Sequence, residues 1–257
     1  VVPGSPIKAV LTLVALLLAG AANANPLVER VVGEIEASPA GCTVPAASNP
    51  NRRQIEALVA EVEQKVRGIP AGTSFQVMDC DADGFVYRGQ TVVLSDRLVR
   101  LNAAQRFFIA AHELGHVELG HHGDMQRFVA KLVGDEADEA SALALVQAHY
   151  SGISREHEYA ADAFAVRAML AGGYDPEQAA RLFDSIDDDQ GNATHPSAQD
   201  RARAIRRVAA ALRQAPKPLL PPGVQEAAAA PTAPATNAAT TPATTAGTLS
   251  SKAGAAG

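Results

Sequence analysis

The stretch HELGHVELGHH at positions 112–122 brings together four imidazoles: His112, His116, His121 and His122. On an α-helix each residue advances about 100°, so His112 and His116, four apart, lie on one face about 40° from each other. Two neutral imidazoles on one face can share a divalent ion. Glu113, directly beside them, can hold a water and take its proton, which is why H-E-x-x-H on a helix is a zinc-hydrolase pattern. Catalytic zinc takes three protein ligands and keeps a fourth position open, so one ligand is still to be found.

His122 stands six residues after His116, the spacing at which a metzincin-type protease places its third histidine. That pattern also needs a Gly three residues after the second His, where the chain turns back, and this chain has Leu119 there. On an unbroken helix His121 and His122 lie about 140° and about 120° from His116. Neither reaches the ion unless the helix breaks at Leu119, and Gly120 comes one residue late. The plainer reading of both is a polar helix end, where cationic side chains suit the dipole.

The third ligand is expected from SREHEYAADAFAVRAML, 154–170. Ser154 reads as an N-cap. Glu158 and Asp162 share one helical face, and the small Ala160, Ala161 and Ala163 would let this helix lie close against another. A carboxylate from it completes a His-His-Glu site, with Asp162 accepting the free N–H of a ligand histidine. Glu156 and His157 compete with Glu158 on spacing alone.

These side chains need elements to place them. Residues 51–68 carry Ile55, Leu58, Val59, Val62 and Val66 at helical spacing, closed by Gly68 and Pro70. TSFQVMDC and GFVYRGQTVVLS predict two strands joined by the turn sequence DADG. Helical spacing returns in SDRLVRLNAAQRFFIAAHELGHVELG. Further helices are expected around 125–149, 154–171 and 176–186, and another after Pro196. Asp79, Asp81, Asp83 and Gly84 match the first half of a calcium loop, but its twelfth position, which must be a bidentate Glu, is Gln90. An acidic hairpin turn is the better reading.

The chain has 257 residues, and its two ends read differently from its middle. Near the start, Lys8 precedes an apolar run of about eleven residues, short of the roughly 20 that a bilayer span needs. Small residues ending in Ala22-Asn23-Ala24 follow, so residues 1–24 read as a secretory signal peptide. An N-terminal segment, 25–50, precedes the predicted domain at 51–215. Residues 216–257, rich in Ala, Pro and Thr, cannot bury enough apolar area to offset chain entropy and read as a disordered tail. About 190 residues remain between the ends, enough for one core. Export and an even cysteine count predict a Cys42–Cys80 disulfide. The net charge is −6, and Lys and Arg form no dense block, which argues against nucleic acid.

Four motifs in series, GQTVVLSDRLVRL, HELGHVELGH, SREHEYAADAFAVRAMLAGGYDP and THPSAQDRARAI, resemble the HtpX/CAAX prenyl protease family of gluzincin metallopeptidases, in particular its soluble bacterial periplasmic members. The resemblance covers roughly residues 50 to 210. It implies an α+β fold, mostly helical: a compact zincin-like (gluzincin) domain with a small β-hairpin sheet packed on the active-site helix. It implies one Zn2+ per chain held by His112, His116 and Glu158, with Asp162 behind them and Glu113 as the base. His195 of THPS is the expected oxyanion donor or zinc latch, and Arg201 is expected, like Asp162, behind the ligands, where it would orient the His195 loop. The implied activity is endopeptidase cleavage of unfolded or misassembled envelope proteins in the periplasm or outside the cell, with no membrane span after signal cleavage. A holdase-type chaperone is the alternative, as is a metzincin-type protease using His122. The chain departs from the family at DGFVYRG, where an Asn-Ala-Phe-Ala-like stretch is usual.

Overall fold

The computed structural model describes residues 25–133, 138–188, 190–192 and 194–214. The leader at 1–24 and the tail at 216–257 lie outside the described residues.

Helix α1, Pro26–Ile35, opens the described chain. It was not expected from the sequence, although Leu27, Val28, Val31 and Val32 form an apolar stripe and all four are buried. Helix α2, Pro50–Lys65, follows, with Asn49 accepting from the Asn51 N–H at its start. Three strands come next: β1, Ser74–Met78, β2, Gly84–Tyr87, and β3, Thr91–Ser95.

The sheet corrects the expected hairpin. Strands β1 and β2 do not pair. The order is β1-β3-β2, with β1 parallel to β3 (Phe75 opposite Val92) and β2 antiparallel to β3 (Phe85 opposite Val93). The tight turn lies at Arg88-Gly89, both with positive φ, 51° and 69°, within the three-residue loop between the paired Tyr87 and Thr91. DADG is a connection, not a hairpin turn. Its carboxylates are also taken: Asp79 and Asp81 pair with Arg97, and Asp83 with Arg100, so the half calcium motif is an arginine-neutralised loop.

After a 3-10 turn, Asp96–Arg100, comes the central helix α3, Ala103–Glu118. Asn102 and Gln105 close a capping box at its start, each accepting from the other's backbone N–H. Its inner face carries Phe107, Phe108 and Leu114, all fully buried, each worth about 1.5–3 kcal/mol of transfer free energy. The remaining helices are α4, His121–Leu132, α5, Glu139–His149, α6, Ser151–Ala171, α7, Glu177–Asp184, and α8, Ala198–Gln214. The region expected as one helix over 125–149 is thus described as two.

One core lies around α3, bounded by α2, the inner sheet face, α6, α7 and α8. A smaller one joins α1 to α4 and α5 through Val31, Val32, Met125, Val129 and Val146. A third cluster, Met78, Phe85 and Val93, is closed by the Cys42–Cys80 disulfide, which is present as expected. The architecture is mostly helical with a small sheet packed on helices, as predicted. Among the described residues no helix is long and apolar enough to cross a membrane.

Candidate metal centre and active site

Close helix approach makes the centre. A Cβ on Gly115 would fall 3.1 Å from Phe164 and 3.3 Å from the Ala161 Cα. Gly115 of HELGH and Ala161 of EYAAD therefore let α3 and α6 pack with their backbones nearly touching. Glu158, one turn before Asp162 on α6, is thereby delivered to the histidine face of α3.

The delivery brings the donors to metal-binding spacing. His112 Nε2 lies 3.1 Å from His116 Nε2 and 3.4 Å from Glu158 Oε2, and His116 Nε2 lies 3.4 Å from Glu158 Oε1. Tetrahedral zinc with ligand bonds near 2.0–2.1 Å separates its ligand atoms by about 3.3 Å. Among the described residues this is the one His/Cys/Asp/Glu group whose ligand atoms converge within 4.8 Å. Glu158 Oε2 is buried and, although 3.1 Å from Arg201 Nη1, has no partner at hydrogen-bonding angles. A buried carboxylate oxygen without a hydrogen-bond partner, facing the His112 Nε2, fits a cation.

The electrostatics agree. Burial opposes a charge on His112, but Glu158 and Asp162 outweigh it and push its pKa up to about 10. Burial would raise Glu158, yet His112 and Arg201 hold it well below the usual carboxylate range. The pocket favours net positive charge between these groups.

Behind His112, Asp162 Oδ1 lies 3.0 Å from His112 Nδ1, in the place the sequence reading expected. Arg201 stands behind His112 with Asp162: its guanidinium grips Asp162 with two hydrogen bonds, 2.9 and 2.6 Å, and the residue is 9% exposed, while among the described residues its side-chain hydrogen bonds go to Asp162 and His112 and not to the His195 loop that it was expected to orient. The cause is its position on the buried first turn of α8, which faces α6. Ser154 is not an N-cap either, because α6 begins at Ser151. Its hydroxyl donates to the Thr194 carbonyl at 2.7 Å and ties the His195 loop to α6. His195 borders the cleft with Nε2 3.7 Å from Glu158 Oε1.

Helix α3 ends at Leu119, and Gly120 adopts φ 70°. The break, one residue from where a metzincin needs it, has two results. His121 swings back until its Nδ1 is 2.9 Å from His116 Nδ1. His122 turns away and meets Glu36 Oε1 at 2.5 Å, so the metzincin-type reading fails. Nor are the two histidines a solvated helix end: they open α4, and His121 is buried. Burial and the neighbouring His116 and His157 push the His121 pKa down to about 3. Of the competitors of Glu158, Glu156 is exposed, and His157 stacks on His121 with its Nε2 3.6 Å from Asp124.

These groups open onto a cleft of about 510 Å³. Glu113 lines it beside the ligand cluster, its pKa raised by burial. Two contributors were missed in the sequence. Gly84 lets β2 lie against Glu113, since a Cβ there would stand 3.0 Å from Glu113 Cγ and 3.3 Å from the Val93 carbonyl; the Gly after three acidic residues was visible but read as part of a turn. Ile35, Glu36 and Ala37 form a cleft wall, and the stripe of α1 was the signal for them.

Curated protein sequences yield no match. The sequence model of peptidase family M48 matches residues 49–209, more than half of the chain and spanning every member of the His-His-Glu cluster, and the chain accordingly belongs to this HtpX-like family of zinc metallopeptidases.

Proposed function

We propose that the chain is a zinc endopeptidase in which His112, His116 and Glu158 hold the metal and Glu113 is the general base. The observation that carries the reading is the convergence of two imidazole nitrogens, 3.1 Å apart, on the Glu158 carboxylate, whose two oxygens each lie 3.4 Å from one of them, next to a glutamate on an open cleft. Zinc bound there supplies Lewis acidity, which makes a water more acidic and a carbonyl more electrophilic. Glu113 takes the proton of the attacking water and returns it to the leaving amine. Asp162 and Arg201 fix the His112 ring. His195, lining the cleft, donates to the developing oxyanion; it is not part of the converging group, which favours this role over a latch.

An extended peptide fits the cleft through β2. That strand pairs only with β3 among the described residues, so its other edge offers backbone donors and acceptors to an added strand. Such recognition reads backbone more than side chain, and an unfolded chain supplies it. The disulfide supports an oxidising compartment, and the leader pattern supports export to the periplasm or out of the cell. Unfolded or misassembled envelope proteins are then the natural substrate class.

The test uses the purified chain with an unfolded protein, with and without chelator. Cleavage should require metal. Glu113→Gln should keep one zinc per chain and lose about a hundred- to ten-thousandfold in turnover. A Gln variant that still cleaves, or one that has lost its zinc, overturns the assignment. Suppressed aggregation without cleavage would point to a holdase.

A further inference from the structure

Resting on the metal-site reading above, we propose that His121 is a positioning residue for His116: its Nδ1 accepts the proton that His116 must carry on its own Nδ1 when Nε2 faces zinc. The geometry leads there in three steps. His116 Nε2 points into the ligand triangle, 3.1 Å from His112 Nε2 and 3.4 Å from Glu158 Oε1. A neutral imidazole that offers Nε2 to a metal has its hydrogen on Nδ1, and that N–H needs an acceptor. Among the described residues the hydrogen-bonding partner of His116 Nδ1 is His121 Nδ1, at 2.9 Å. Two N–H groups cannot face each other at that distance, so His121 presents a lone pair and holds its own hydrogen on Nε2.

The ring is built into place. Gly120 at φ 70° breaks the helix between α3 and α4, without which His121 would lie about 140° from His116 around the helix. His157 of α6 then stacks on it, ring centroids 4.0 Å apart and planes within 9°. The position is buried, 8% exposed, so water does not readily replace the acceptor. His121 thus does for His116 what Asp162 does for His112, with a neutral nitrogen in place of a carboxylate.

The experiment compares two substitutions of nearly equal size in the full chain. Asn carries an acceptor oxygen close to the place of Nδ1, and Leu carries none. Zinc dissociation constants are measured by competition with a chromogenic chelator for wild type, His121→Asn and His121→Leu. Loss of such a partner typically weakens a metal about 10- to 100-fold, so Leu should bind zinc that much more weakly, with Asn within a few-fold of wild type. Equal weakening in both variants, or a Leu variant as tight as wild type, overturns the proposal. Failure of the metal-site reading looks different: wild type itself would take up no zinc, or His116→Ala would bind as tightly as wild type.

Discussion

His112 and His116 offer the same nitrogen to the same point but are held by unlike walls. Behind His112 stand a carboxylate and a guanidinium, Asp162 and Arg201, both buried and both on helices inside the family match. Behind His116 stand rings: His121, stacked on His157. The next residue, His122, reaches out to Glu36, beyond the matched segment. A carboxylate acceptor makes its imidazole more electron-rich and costs heavily if its own partner is lost. An imidazole acceptor fixes orientation without adding charge. One wall is therefore expected to serve both folding and metal binding, and the other mainly metal binding.

The largest effect expected from this contrast is at Asp162. Asp162→Ala leaves Arg201, 9% exposed, with Glu158 as its remaining ion-pair partner among the described residues. Breaking a buried pair by removing one partner costs about 3–5 kcal/mol. Denaturant unfolding of the metal-free chain should show that loss, and zinc affinity should fall about 10- to 100-fold as well. His121→Leu should show the affinity change with little loss of metal-free stability. Equal stability losses in the two variants would erase the distinction between the walls.

His195 separates holding the metal from using it. Its loop is tied to the carboxylate wall through Ser154 and the Thr194 carbonyl, but its ring faces the cleft. His195→Ala should leave zinc affinity unchanged and lower turnover about a hundred- to a thousandfold, the usual cost of one oxyanion donor. Steady-state kinetics on one peptide decide it. A rise in turnover would make His195 a latch instead.

The two walls were unequally legible in the sequence. Four-residue spacing placed His112 with His116 and Glu158 with Asp162, because helical periodicity is local and needs no tertiary knowledge. Spacing did not rank Glu158 above Glu156 or His157: neighbours on one helix differ only in azimuth, and which azimuth faces α3 is decided by the contact of Gly115 with Ala161 and Phe164. The family resemblance supplied that choice. The imidazole wall is not legible from helical spacing, which gives a polar helix end there, because it depends on one left-handed residue, Gly120, and a single dihedral redirects everything after it. The sheet was misread for a related reason. DADG has turn chemistry, but the pairing partner of β1 is the later strand β3, and turn chemistry does not reveal a long-range partner. The Cys42–Cys80 bond was legible only through compartment and parity, and the structure contains it.

The smallest expected effect lies where the imidazole wall leaves the family core. His122 Nδ1 meets Glu36 Oε1, and the contact lets residues 35–37 line the cleft beside β2. The hydrogen bond that His122 donates to Glu36 raises the His122 pKa above its ordinary value, against the opposing pull of partial burial. The sign follows from linkage. A group whose folded pKa is raised stabilises the fold fully below its unfolded pKa, about 6.5 for His, and that contribution fades as pH climbs through the folded value. The pair is partly exposed, 23% and 19% at the two side chains, so screening keeps its worth at roughly 1 kcal/mol or less. Zinc-loaded wild type should therefore lose up to that much stability relative to Glu36→Gln between pH 6 and pH values well above the raised pKa. Paired denaturant titrations measure the difference and cancel the other histidines, which both proteins share. Parallel stability curves for the two proteins across that range would mean that Glu36 and His122 meet without energetic consequence, and that the N-terminal wall of the cleft is held by the apolar stripe of α1 alone.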